Sequence, residues 1–168
     1  MKRIKALILF LLLFCGTPLL HASGQRQVLN FDLDWHLYIG DLPVQMFEDA
    51  ESAESIKGSS MVSLPRAFNG EEAFCKSIYE LTDTVMWYYK TFKLSQKAIQ
   101  GKVFIEFEGV RQGADVYVNG QHVGYHENGV MAFGMDLTSY VKKGKNLIAV
   151  RVDNNWQYRE RGHKYSRY

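Results

Sequence analysis

Three groups of residues in this 168-residue chain have side chains of the right type for chemistry. Glu106 and Glu108, in "KVFIEFEG", lie two apart on an alternating segment, so both project from one strand face. Paired carboxylates are the machinery of glycoside hydrolysis, where a retaining pair stands about 5 Å apart on opposite sides of the scissile bond. Neighbours on one strand face are about 7 Å apart, at a rise of about 3.3 Å per residue, and flank nothing. A solvated surface pair is therefore expected, and no catalytic residue is assigned. His122, His126 and Glu127 are metal-ligand types, but their spacing straddles a strand end, and a catalytic zinc takes three convergent ligands. No metal and no cofactor are expected. Trp156, Tyr158, Tyr165 and Tyr168 alternate with Arg159, Arg161, Lys164 and Arg167. Such alternation suits single-stranded nucleic acid, but also rings that stack on sugars or a neighbouring domain. The simplest reading of this tail is a loop cut short of its partners.

The chain termini decide between these options. Lys2, Arg3 and Lys5 precede an unbroken apolar run from Ala6 to Cys15, and Leu20-His21-Ala22 offers a small residue before a cut. That order describes a secretory signal peptide over residues 1–22. Pro18 and His21 interrupt the run well before the roughly 20 apolar residues that a spanning helix needs. An exported protein, periplasmic or secreted, with no membrane attachment after cleavage, is the expectation. The whole chain has 20 Lys and Arg against 18 Asp and Glu, and losing the three basic residues of the leader leaves 17 against 18. The apparent basicity belongs to the leader, so no concentrated basic face for nucleic acid remains.

What must position any site is a 146-residue piece, the size of one ordinary domain. Its single remaining thiol, Cys75, excludes an internal disulfide and is expected to be a small buried hydrophobe. In 102–109, Val103, Ile105 and Phe107 share one face, and Phe104, Glu106 and Glu108 the other. Asn119-Gly120 in "DVYVNGQHVGY" is a strong hairpin signal, because a type I′ turn needs positive φ at both central residues. The two-residue turn predicts Val118 opposite Gln121, Tyr117 opposite His122 and Val116 opposite Val123, followed by a loop at 126–129. "KNLIAVRVDN" is a further strand, with Ile148, Val150 and Val152 on one face and Leu147, Ala149 and Arg151 on the other. "TVMWYYKTFKL" (84–94) and "FDLDWHLYIGD" (31–41) have strand character. The polar stretch 48–61 reads as a surface excursion, "LPRAFNGEEAF" (64–74) as a loop, and "DLTSYVKKG" (136–144) as a bridge between strands. Many short strands with Gly and Asn turns predict an all-β antiparallel sandwich.

The order of "VSLPRAFN", "WYYKTFKL" and "KVFIEFEGVRQGADVYVNGQHVGYHENGVMAFGMDLTSYVKKGKNLIAVRVDN" resembles the N-terminal sugar-binding domain of glycoside hydrolase family 2. This is the family of bacterial β-galactosidases, β-glucuronidases and β-mannosidases, and the similarity to exported β-galactosidase-like enzymes is the strongest. The resemblance spans about 28–160, and its specific part is "FEGV", "VNG", "VG-H", "DLT" and "VRVDN" in that order. It implies a jelly-roll β-sandwich of the galactose-binding-like type over residues 23–168, lacking its closing strand. It also implies that an immunoglobulin-like domain and a (β/α)₈ barrel with the two catalytic glutamates would follow. The chain alone is then a C-terminally truncated, non-catalytic scaffold, inactive by itself, that contacts a galactoside-like carbohydrate in the full enzyme and packs on the missing domains. Its sugar-pocket rim would be Asp153, Asn154, Asn155 and Trp156, with His126 and Glu127 at a sandwich end. Arg66 and Ala67 stand where many members have His-Asp. The alternative is a free-standing exported carbohydrate-binding module or interaction sandwich.

Overall fold

The structure is a computed structural model that describes residues 26–77 and 80–154. The proposed leader and the tail from Asn155 onward, Trp156 included, lie outside the described residues. Residues 26–30 are irregular and exposed, and the body that begins at Phe31 holds every element.

Eight strands form two antiparallel sheets: β1 (Trp35–Ile39), β2 (Ser60–Val62), β3 (Val85–Leu94), β4 (Phe104–Phe107), β5 (Gly113–Val118), β6 (Gln121–Glu127), β7 (Phe133–Asp136) and β8 (Gly144–Asp153). The large sheet runs β2-β1-β3-β8-β5-β6, and β4 pairs with β7 in the small one. The expected antiparallel all-β sandwich is present. Ala114, Val116, Val118, Ile148, Val150 and Val152 from the large sheet bury against Ile105, Phe107, Phe133 and Met135 of the small one. The alternation read from 102–109 is reproduced, with Ile105 and Phe107 turned inward and Phe104 and Glu106 exposed.

The sheet's second face is covered as well. Trp87, Tyr89, Leu147 and Ala149 pack beneath Phe47, Ala53 and Ile56. The cover is a 3-10 turn at Val44–Phe47 and a short helix at Ala50–Glu54, whose N-cap Asp49 accepts a 2.8 Å hydrogen bond from Ser52 N. The stretch 48–61 is therefore not a plain surface excursion: residues 48–56 belong to a lid on a second core, and Ser60 and Met61 open β2. Its polar residues face water while Ala53 and Ile56, three apart on the helix and its end, face inward. Double burial explains why β3 and β8 are apolar on successive residues and not only on alternate ones.

Three further expectations are corrected. Cys75 is exposed, because the helical turn Glu72–Cys75 lies on the surface with no buried residue. The hairpin holds Val118 opposite Gln121 and Tyr117 opposite His122, but Val116 then faces Gly124, so Val123 is a bulge. His126 and Glu127 are not in a loop: β6 continues through them, opposite Ala114 and Gly113. Among the described residues β8 lies between β3 and β5, and the large sheet ends on β2 and β6.

Candidate functional site

The bulge at Val123 decides where the two histidines point. Residues four apart on a regular strand share a face, but the extra residue reverses the parity. His122 lies 5.0 Å from the Tyr117 ring on the outer face, with Nε2 2.9 Å from Asp115 Oδ1. His126 instead stacks on Phe133 at 4.0 Å, on the side of the small sheet, and its Nε2 is buried without a hydrogen-bond partner. These two rings and Glu127 do not converge. Glu127 accepts a 3.1 Å hydrogen bond from the Tyr125 hydroxyl. Glu106 sits on open strand β4 opposite Gly134, and Glu108 just beyond it is exposed, so neither faces a cavity carboxylate across a bond.

Asp153 ends β8, opposite Val85 on one side and Gly113 on the other, and Gly113 pairs in turn with Glu127. Register thus places Asp153 and Glu127 in one row at the same end of the sheet, two strands apart. Asp153 is a strand residue and not part of a loop. Its carboxylate is 3.6 Å from Arg151 Nη1. Arg151 is held by Asp41, with Nε–Oδ1 3.0 Å and Nη2–Oδ2 2.6 Å, and Trp87 Nε1 donates to the same Oδ1 at 3.2 Å. The guanidinium holds the Asp41 carboxyl below the usual carboxylate range, against a smaller opposing effect of burial.

Asn154 is buried, with its backbone N–H on Thr84 O at 3.1 Å and Nδ2 on Thr82 O at 3.4 Å. Its side chain anchors the segment before β3. Thr82 reaches the other way: its N–H and hydroxyl donate to the two oxygens of Glu72 at 2.9 and 2.6 Å. Those bonds, with Lys76 at 3.2 Å, bring the Glu72 carboxyl down to about 2. The sheet end at Asp153 and Asn154 is in this way tied to a groove of about 560 Å³, lined among others by Arg66, Phe68, Asn69, Glu71, Phe74 and Thr82. The loop expected over 64–74 is present through residue 71 and ends in the helical turn Glu72–Cys75. The signal for the groove was there in Phe68 and Phe74 alternating with Arg66 and Asn69, apolar surface next to polar handles, which a plain connection does not need.

Residues 29–164 match the family described as "Glycosyl hydrolases family 2, sugar binding domain". The chain belongs to glycoside hydrolase family 2. This family 2 domain is 38% identical over 141 residues to a beta-glucuronidase of Formosa agariphila, covering 79% of the chain and 14% of that protein. It is 41% identical over 133 residues to a beta-galactosidase of Thermoanaerobacter pseudethanolicus, covering 77% of the chain and 17% of that protein. Among solved structures, a beta-glucuronidase from glycoside hydrolase family 2 superposes with TM-score 0.66 at 35% identity, covering 75% of the chain and 14% of the other. A Bacteroides uniformis beta-glucuronidase shares the fold at 22% identity and TM-score 0.68, covering 79% of the chain and 15% of the other. The family 2 domain thus spans about one-seventh to one-sixth of the length of these relatives.

Proposed function

We propose that this chain is the non-catalytic carbohydrate-binding and scaffolding front domain of an exported family 2 enzyme of the β-galactosidase type. The observation that carries the reading is the family match over residues 29–164 at only 14–17% of the relatives' length. Hydrolysis would then reside in the barrel of such an enzyme, and the sandwich would pack against its immunoglobulin-like and barrel domains. The open placement of Glu106 and Glu108 supports it, since the double displacement needs two carboxylates across one bond. Of the expected rim, Asp153, Asn154, His126 and Glu127 are described; Asp153 and Glu127 share one row at a sheet end, while Asn154 is buried against Thr82 and His126 stacks on Phe133.

The direct test is turnover. The purified chain is incubated with chromogenic β-galactoside and β-glucuronide, and no release of chromophore is expected. Release that survives repurification and disappears in Glu106→Gln would overturn the non-catalytic assignment. Export is tested by N-terminal sequencing of protein recovered outside the cytoplasm, which should begin near residue 23; retention of Met1 in that fraction would contradict the leader.

A further inference from the structure

We propose that Asn69 is a site of spontaneous modification, converted to aspartate and isoaspartate through a cyclic imide formed with Gly70. The chain holds three Asn-Gly pairs, at 69–70, 119–120 and 128–129. Glycine puts no side chain beside its own backbone nitrogen, so each pair has the sequence that this reaction needs. The fold sets them apart.

Asn119 is locked. Its Nδ2 donates to Tyr140 O at 2.9 Å and to Asn146 Oδ1 at 3.0 Å, and its Oδ1 accepts from Leu147 N at 3.0 Å. Its amide carbon cannot swing onto the Gly120 nitrogen until these bonds open, and Gly120 lies against the Glu48 backbone. Asn128 is held less firmly. Its Oδ1 accepts from Val130 N at 3.1 Å and its N–H donates to Gln112 O at 3.3 Å. Gly129 is crowded as well, since an added Cβ would come to 2.9 Å from Arg111 Cγ.

Asn69 has none of these restraints. Among the described residues its side chain makes no hydrogen bond, and the Gly70 N–H has no acceptor. Asn69 is only partly buried. An added Cβ at Gly70 would meet nothing nearer than Ala67 O at 3.7 Å, so the backbone has room to turn. The Asn69 carbonyl accepts a long bond from Ala73 N at 3.3 Å, at the start of a helical turn with no buried residue. Little packing is lost when such a turn opens, and local opening admits the ring closure.

The reaction needs only water. The Gly70 nitrogen, deprotonated by solvent base, attacks Asn69 Cγ; the new N–Cγ bond closes a five-membered ring, the Cγ–Nδ2 bond breaks and ammonia leaves. Water then adds to a ring carbonyl. Breaking the N–Cγ bond gives aspartate, and breaking the bond from nitrogen to the main-chain carbonyl carbon gives isoaspartate. Either product puts a carboxylate in place of a neutral amide, in the groove that Asn69 shares with Arg66, Glu71 and Glu72.

The whole folded chain is kept in mildly alkaline buffer, and its peptides are sampled over time by mass spectrometry, with isoaspartate read by its methyltransferase. Conversion should appear first at Asn69, at least about tenfold faster than at Asn119 and about threefold faster than at Asn128, whose hydrogen bonds must open first. In urea the three rates should converge, because the restraints are gone. Gly70→Ala should remove most of the conversion at Asn69 and leave that at Asn128 unchanged. An unconverted Asn69 in the folded chain, or conversion led by Asn119 or Asn128, overturns the assignment. Rates that keep the same spread in urea overturn it too, since flanking sequence and not the fold would then select the site. An unchanged rate in Gly70→Ala rules out the imide route.

Discussion

Arg151 and Asp41 form a two-point contact, Nε–Oδ1 at 3.0 Å and Nη2–Oδ2 at 2.6 Å, that ties the end of the first strand's loop to the centre of the large sheet. Trp87 donates to the same carboxylate, so Asp41 joins β3 and β8 from outside the sheet. Half of the carboxylate side chain is exposed, which limits its value. Asp41→Ala should lower stability by about 1–2 kcal/mol in urea unfolding. A double-mutant cycle with Arg151→Ala should give a favourable coupling; purely additive effects would mean that the contact does not act as a unit.

The second core makes a stronger prediction. Phe47 is 1% exposed and stacks on Trp87 with ring centroids 4.2 Å apart. Phe47→Ala should cost about 3–5 kcal/mol and open Trp87 to water, read as a red-shifted tryptophan emission. A loss under about 1 kcal/mol would show that the 3-10 turn is a dispensable flap.

Asn146 is fully buried and stands in for a backbone turn. Its Oδ1 accepts from Lys142 N at 2.8 Å and from Asn119 Nδ2 at 3.0 Å, while its Nδ2 donates to Lys142 O and Gly144 O. Asn146→Ala leaves the Lys142 N–H and one Asn119 Nδ2 hydrogen without their acceptor at partly buried positions, at about 1–3 kcal/mol each before relaxation. A net loss of about 2–4 kcal/mol in thermal or urea unfolding is expected.

Gly120 is needed twice over. Its φ is +78°, and an added Cβ would come to 2.9 Å from the Glu48 Cα. Turn strain alone is about 1–3 kcal/mol for a residue forced into that region, and backbone contact from the lid adds to it. Gly120→Ala should therefore destabilise more than Gly144→Ala, where φ is +89° but nothing lies within 4 Å. Equal losses at the two positions would remove Glu48 from the explanation.

Acid should weaken the groove. The Glu72 carboxyl is held near 2 in the folded protein, from an ordinary value of 4.5, chiefly by the Thr82 hydroxyl and N–H and then by Lys76. A carboxyl lowered on folding contributes stability above about pH 4.5, and this is lost as the pH falls toward 2. Asp136 behaves alike, held near 2 by Thr138 and Lys102. Glu72→Gln should therefore reduce the change in unfolding free energy between pH 5 and about pH 2.5, measured by urea titration. An identical acid slope in the variant would contradict the assignment.

Period-two alternation and turn chemistry were enough to place β4, β5, β8 and the Asn119-Gly120 hairpin, because each is specified within about ten residues by side chains that sort between core and water. The order of those motifs was also enough to reach the family. Long-range packing settled the remainder. The lid at 44–56 has no strong pattern of its own and becomes apolar only where Phe47, Ala53 and Ile56 meet Trp87 and Leu147, distant in the chain. The Val123 bulge, which sends His122 and His126 to opposite faces, arises in the pairing of two strands and leaves no mark in residue spacing. The groove needs Arg66 and Phe74 brought beside Thr82, a contact held by Glu72 and invisible until the chain has closed on itself.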